Sequence, residues 1–326
     1  MRWLITGGCG FIGTNLVHRL LETQEDVFIM DNMSAPGAIY SQEKISRIQE
    51  KDLPFSNGPA LLEADVRDSR LALEAGRSMD VIVHLAASTG VIQSMEDPQY
   101  DCHVNVLGTL NMLESTRKNH CRAFIFASSG APLGEQTPPV HEEMVPKPLS
   151  PYAASKLAGE GYCSAYHGSF GVRAVVLRFS NVYGPHSLHK DSVVARFIKK
   201  CLEGRNPVIY GDGSQTRDFI HVADLVNAVI LAAKRGEGGQ IYQIATGRET
   251  TIFDLANLIL KEMEQALDRP FALRYEGFRQ GEIIRNSADN TKARKALGWE
   301  PVVDLPVGIR ELVGWFLAQQ ANTIPK

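Results

Sequence analysis

Residues 7–13 read Gly-Gly-Cys-Gly-Phe-Ile-Gly, directly behind the apolar run Trp3-Leu4-Ile5. Ahead of them lies a stretch, Phe11–Leu21, whose apolar residues recur every three to four positions. No other feature of the chain restricts its fold as much. Glycine permits the tight turn and lets backbone approach a pyrophosphate. The helix that opens at Phe11 presents unsatisfied N–H groups and the positive end of its dipole to the same place. Strand, glycine turn and helix in that order are the context that gives the pattern meaning. It predicts a dinucleotide lying against Gly7, Gly10, Phe11, Ile12 and Gly13.

Short apolar runs at Val27–Met30, Leu61–Leu62, Val81–Leu85, Ala123–Ala127 and Ala174–Leu177 alternate with helical patterns such as Val104–Leu113. That alternation predicts an α/β fold, a Rossmann-type doubly wound parallel sheet with helices on both faces. The stretch from 30 to 60 is polar, carries Pro36, Pro54 and Pro59, and reads as a helix at 41–51 set in long loops. Beyond residue 179 Gly and Pro become frequent, a helical stretch spans Val222–Ala233, and Ile241–Ile244 reads as one more buried strand. The organisation expected is a NAD-binding Rossmann domain of residues 1–178 plus 222–246. A smaller mixed α/β C-terminal lobe, 179–221 and 247–326, would bind substrate.

The chain has 326 residues, 44% of them hydrophobic and 22% charged, an ordinary globular balance for one large domain or two intimate ones. A net charge of −3 without a basic stripe argues against a nucleic-acid partner. The first apolar run is far too short for a secretory signal or a membrane span. The cysteines at 9, 102, 121, 163 and 201 are odd in number and form no CxxC pair. The histidines show no metal-ligand spacing. Reduced thiols in a cytoplasm, with no metal, are the expectation.

The second strand ends at Asp31, where an acid accepts hydrogen bonds from adenosine ribose hydroxyls and repels the extra phosphate of NADP. NAD is therefore the expected cofactor. Asn32 adjoins Asp31, and Asp65 and Val66 follow the third strand, where an acid can meet the adenine amino group. Leu85, Ala86 and Ala87 end the fourth strand with small residues, so a cofactor can lie close to that edge. His84 reads as a satisfied core or edge histidine.

Ser150-Pro151-Tyr152 is a helix start, with Ser as N-cap and Pro in the first turn. Lys156, four residues after Tyr152, shares its face. An ammonium near a phenol stabilises the phenolate, and Lys156, helped by the positive nicotinamide of NAD⁺, brings a poor base toward the neutral range. Ser128-Ser129 ends the fifth strand at the carboxyl edge of the sheet, where ligands bind in such folds. Ser129 can hydrogen-bond a substrate hydroxyl and pass its proton to Tyr152.

Together, GGCGFIG (7–13), HLAA (84–87), ASSGAPLG (127–134), SPYAASKLAGE (150–160), LRFSNVYGP (177–185), GDGSQTRDFIHVADL (211–225) and LGWEP (297–301) resemble the extended short-chain dehydrogenase/reductase family. Within it, the chain looks like the sugar-nucleotide epimerases of the UDP-glucose 4-epimerase type, over essentially its whole length. The resemblance implies Ser129 as the catalytic Ser/Thr, Tyr152 as base and Lys156 as the ribose-binding lysine. Asn105 matches a buried asparagine beside the active site. Asn181 matches a residue that meets the substrate diphosphate, and Arg217 and Arg279 match arginines that hold the nucleotide's phosphates. Ser94 and Val194 complete the candidate substrate contacts, and Ser128, Asn105, Tyr152 and Lys156 the cofactor contacts.

The implied reaction is epimerisation of a nucleotide-activated sugar, a UDP-hexose at C4, by oxidation and reduction within one site. The family's 4,6-dehydratases carry an Asp-Glu pair after the serine, whereas Gly130-Ala131 stands here, which leaves dehydration without its acid and base. Other readings kept open are epimerisation at another carbon, a net reductase, and a silent NAD-binding regulator. Three positions depart from the family pattern: Pro132-Leu133 for the usual Val-Tyr, Glu282 for the Asp of a late R-x-G-D, and Asn286 where some glucose/galactose-restricted epimerases have a bulky Tyr. The last implies room for an N-acetyl group on the sugar. The family also implies a homodimer, joined by helices near 101–118 and 152–168.

Overall fold

The apolar runs become strands buried on both faces. β1 (Arg2–Thr6), β2 (Asp26–Asp31), β3 (Ala60–Glu63), β4 (Val81–His84), β5 (Ala123–Ser129) and β6 (Ala174–Phe179) are all parallel. Every residue of β4 and of β6 is buried, which is why these segments read as continuous rather than alternating apolar runs. Past β6 the chain forms three two-stranded pairs: β7 (Asn181–Tyr183) with β10 (Phe219–His221), β8 (Val208–Tyr210) with β13 (Arg274–Glu276), and β9 (Thr216–Arg217) with β12 (Thr250–Thr251). Among these, β11 (Ile241–Ile244) returns to the main sheet beside β6. The seven-stranded order is β11-β6-β5-β4-β1-β2-β3, the doubly wound fold expected. The computed structural model describes residues 1–35, 60–278 and 283–323; the helix expected at 41–51 lies outside them.

The helices are α1 (Phe11–Glu22), α2 (Ser69–Ala75), α3 (Val91–Glu96), α4 (Pro98–Cys102), α5 (Gly108–Lys118), α6 (Pro151–Phe170), α7 (Val193–Leu202), α8 (Val222–Arg235), α9 (Ile252–Leu267), α10 (Thr291–Leu297) and α11 (Leu305–Thr323). A π turn, His103–Leu107, joins α4 to α5, so one helical run spans 98–118. α6 starts as expected, the Ser150 hydroxyl accepting from the Ala153 N–H at 3.2 Å, and it stops at Gly171 in the left-handed region.

One face of the sheet (Ile5, Val83, Ile125, Leu177) packs against α1 and α8. The other (Leu4, Ile82, Phe124, Phe126, Val176) packs against α5 and α6. A further core is built by α7, α9 and α11 around Phe197, Ile259 and Phe316. Ala293 and Leu297 of α10, with Trp299, sit in the first of these cores, although the sequence reading groups 247–326 with the second lobe. The reason is local: Trp299 is fully buried and its indole N–H donates to the Asp224 carbonyl on α8 at 2.9 Å.

Candidate active site

The glycine turn forms the first wall. Gly7 is left-handed (φ +70°), and a Cβ there would meet the Ala86 backbone nitrogen at 2.8 Å, so the turn lies directly on the loop that follows β4. A Cβ on Gly13 would stand 2.2 Å from the Gly7 carbonyl oxygen, so only glycine lets α1 start this close to β1. Gly10 caps α1 with no side chain, and the first N–H groups of the helix, at Phe11, Ile12 and Gly13, face the turn without side-chain partners. This cradle fits a dinucleotide's pyrophosphate.

At the end of β2 the buried Asp31 carboxylate accepts the Cys9 and Met33 N–H groups, both at 2.9 Å, and each oxygen keeps a lone pair for a ribose hydroxyl. Burial pushes its pKa up against those two bonds. Asp65 is held by a bidentate Arg67 fork at 2.9 and 2.8 Å and by Asn32 at 2.8 Å, and the Arg67 bonds lower it to about 2. Val66 turns its side chain into the core and gives its carbonyl to the Asn111 amide. Leu85, Ala86 and Ala87 are half-buried beside Gly7. His84 is a satisfied core histidine as expected: Nδ1 lies 2.7 Å from the Thr6 hydroxyl and Nε2 3.1 Å from that of Thr109, and burial pushes it down to about 3.

Ser129 ends β5 opposite the first turn of α6, where its side chain hydrogen-bonds the Tyr152 phenol. Lys156 is buried, its Nζ donating to the Ala127 carbonyl at 2.9 Å and standing 6.0 Å from the centre of the Tyr152 ring. Burial lowers Lys156 to about 8. Burial also pushes Tyr152 up to about 12, Ser129 pulling it back and Asp101 adding to the rise. Burial therefore holds the phenol neutral in the chain without cofactor, where the positive nicotinamide that the sequence reading pairs with Lys156 is not present. Ser128 points to the opposite face of β5 and donates to Glu160 at 2.6 Å. Glu160 forms a buried bidentate pair with Arg178, at 2.9 and 2.7 Å. Asn105, in the π turn, is buried and fixes Ser88 through its side-chain oxygen (2.9 Å) and amide (3.0 Å).

A cleft of about 560 Å³ opens at this point, bringing together Ser129, Tyr152, Asn181, Val194 and Arg217 of the expected residues. Ser94 is not among its lining; it is fully buried, its hydroxyl spent on the Val91 carbonyl at 2.7 Å. Asn286 is half-buried and also outside the lining. Arg279 and Glu282 lie outside the described residues. Arg217 is steadied by the Thr216 and Ile283 carbonyls, both at 2.8 Å.

Sequence reasoning missed Lys190 and Arg196, which add two cations to the lining, against one acid, Asp191. Burial lowers the Lys190 pKa, with no carboxylate to offset it. Neither lies in a motif, and only the fold brings them to the cleft. Among the described residues no group of three or more His, Cys, Asp or Glu is placed to hold a metal, and no helix is long and apolar enough to cross a membrane.

Residues 3–245 match the model of the NAD dependent epimerase/dehydratase family. A UDP-glucose 4-epimerase of Mycolicibacterium smegmatis is 37% identical over 323 residues, covering 97% of this chain and 98% of that protein. The solved UDP-glucose 4-epimerase of Thermotoga maritima with UDP-glucose superposes with a TM-score of 0.88 at 31% identity, covering 98% of this chain and all of that one. A dTDP-glucose 4,6-dehydratase of Streptomyces venezuelae, solved with NAD bound, reaches a TM-score of 0.87 at 27% identity, with 98% of each chain covered.

Proposed function

The chain belongs to the NAD dependent epimerase/dehydratase family, and on that premise we propose that it inverts C4 of a UDP-hexose through a transient keto sugar. The observation that carries this reading is the composition of the cleft. Ser129 and Tyr152 share it with Asn181, Arg217 and further cations, while the stretch after the serine, Gly130-Ala131, holds no ionisable side chain. A dehydration needs an acid and a base at that place; an epimerisation does not.

Bound NAD would supply a hydride acceptor, would return the hydride, and would bring a positive ring close to the phenol. Gly7–Gly13 would hold its pyrophosphate, Asp31 its adenosine ribose and Lys156 its nicotinamide ribose. Tyr152 takes the proton of the C4 hydroxyl, with Ser129 hydrogen-bonded to both. The desolvated phenol needs compensating positive charge, which Lys156 and the positive ring of bound NAD would supply together. Asn181, Arg217 and Lys190 hold the diphosphate while the sugar turns, so binding energy remote from the reacting carbon positions it. Residues 1–178 with 222–246 would serve NAD and the remainder the sugar nucleotide, in a cytoplasmic homodimer.

The test is incubation with UDP-, CDP-, GDP- and dTDP-sugars, followed by anomeric proton NMR. A UDP-glucose/UDP-galactose interconversion without net change in reduced-nicotinamide absorbance is expected. Stoichiometric cofactor consumption would instead identify a reductase. Tyr152→Phe should lose at least roughly a hundredfold in kcat with its fold intact; near-normal turnover would remove Tyr152 from the role of base.

A further inference from the structure

We propose that Asp101 is a positioning residue for the Tyr152–Lys156 pair: a buried carboxylate, tied through Asn105 and Ser155 to the first turn of α6, that serves as the counter-charge of Lys156 and opposes charge on Tyr152. The inference rests on the reading of Tyr152 as the base.

Asp101 is 1% exposed and no cation lies within ion-pair distance of it among the described residues. Its partners are dipoles. The Asn105 amide donates to its Oδ1 at 2.8 Å, and burial raises the Asp101 pKa against that bond. Asn105 also reaches the Ser155 hydroxyl at 3.2 Å, and Ser155 donates to the Tyr152 carbonyl at 3.0 Å. A continuous chain of short bonds thus joins α4 to the peptide of the base. Asn105, in the π turn, meets Asp101 four residues earlier and Ser88 at once.

The charges around Lys156 leave Asp101 a distinct place. From α6, Glu160 faces Lys156, but Glu160 is already neutralised by Arg178 and bonded by Ser128. Cys163, also on α6, is a buried thiol held neutral by burial. From β4, His84 is neutral. From β5, Ser129 is uncharged. Among the described residues Lys156 has a carbonyl as its one hydrogen-bond partner, and no ion pair. Among the described residues around Lys156, Asp101 is therefore the acid without a cation of its own. Asp101 raises the proton affinity of both Lys156 and Tyr152. Without cofactor this keeps the ammonium charged and the phenol neutral, so the base is formed only when further positive charge is seated beside it.

The experiment compares the NAD-loaded wild type with Asp101→Asn, Asp101→Glu and Tyr152→Phe. Asn keeps the acceptor and removes the charge. Phenolate ultraviolet absorbance belonging to Tyr152, taken as the difference from Tyr152→Phe, is titrated, and the pH profile of kcat/KM is recorded. In Asp101→Asn both the titration and the acid limb should move to lower pH by about one unit, the scale of one unit charge acting in a partly desolvated site. Asp101→Glu should stay at the wild-type position. A lower kcat with neither midpoint moved overturns the proposal, since a purely structural Asp101 would give that pattern. Should Asn at 101 prevent folding, Asp101→Ser carries the same expectation. A shifted phenolate titration with no turnover of any sugar nucleotide leaves the proposal standing and refutes the reaction instead.

Discussion

Arg178 and Glu160 are 2% and 3% exposed at their side chains, and their two bonds of 2.9 and 2.7 Å lie under α6, remote from bulk water. Arg178→Met removes the cation and leaves Glu160 buried with the Ser128 hydroxyl as its remaining hydrogen-bond donor. Breaking such a pair costs about 3–5 kcal/mol, because the survivor is an uncompensated buried charge. At roughly 2–4 °C of Tm per kcal/mol, a fall of roughly 6–20 °C is expected. Glu160→Met should cost about as much, and it also leaves Ser128 without its acceptor. The double variant, two apolar chains filling the same space, should be no less stable than either single one, since replacing both charges is often neutral. Urea unfolding followed by circular dichroism measures all three. Singles within about 1 kcal/mol of wild type, or a double variant as unstable as the two singles summed, would refute the reasoning.

Gly13→Ala forces a Cβ to 2.2 Å from the Gly7 oxygen. It should destabilise by about 1–3 kcal/mol and weaken NAD binding in calorimetry; an unchanged affinity would mean that the turn tolerates a side chain. Because the Asp31 carboxylate is buried where the adenosine ribose would lie, NAD should bind more tightly than NADP, and equal dissociation constants contradict that assignment. Lys190→Met should raise KM for a UDP-sugar roughly tenfold with kcat nearly unchanged, the pattern of lost uniform binding. A fall in kcat alone would place Lys190 at the reacting carbon instead.

The parallel sheet was legible because strands buried on both faces must be continuously apolar, as Val81–Leu85 and Ala174–Leu177 are. The glycine turn and the Ser150 cap were legible because each rests on backbone rules that act over a few residues. What escaped depends on tertiary contacts. Glu160 and Arg178 lie in adjacent elements, and nothing in their local spacing marks them as a pair. Asp101 and Asn105 are one helical turn apart, but Ser155 lies 50 residues beyond Asn105, so its meeting with them was invisible. Tyr152 and Lys156 were correctly read as neighbours, but a spacing rule carries no information about desolvation, which raises the phenol in the chain without cofactor. Ser94 looked like a polar residue near the site and proved to be bonded within its own short helix.

The return of β11 to the sheet edge and of Trp299 to α8 has a bearing on how such a protein can be rearranged by recombination. The segment past β6 is not a cassette. Cutting the chain after residue 221 would remove the neighbour of β6 and bare a row of unpaired N–H and C=O groups on a flat, apolar strand, an invitation to intermolecular pairing. Cutting after 290 would leave α8 uncovered where Leu297 and Trp299 now sit. New sugar preferences are therefore expected to arise by exchange of residues within the loop at 187–192, with the threading of the chain left intact.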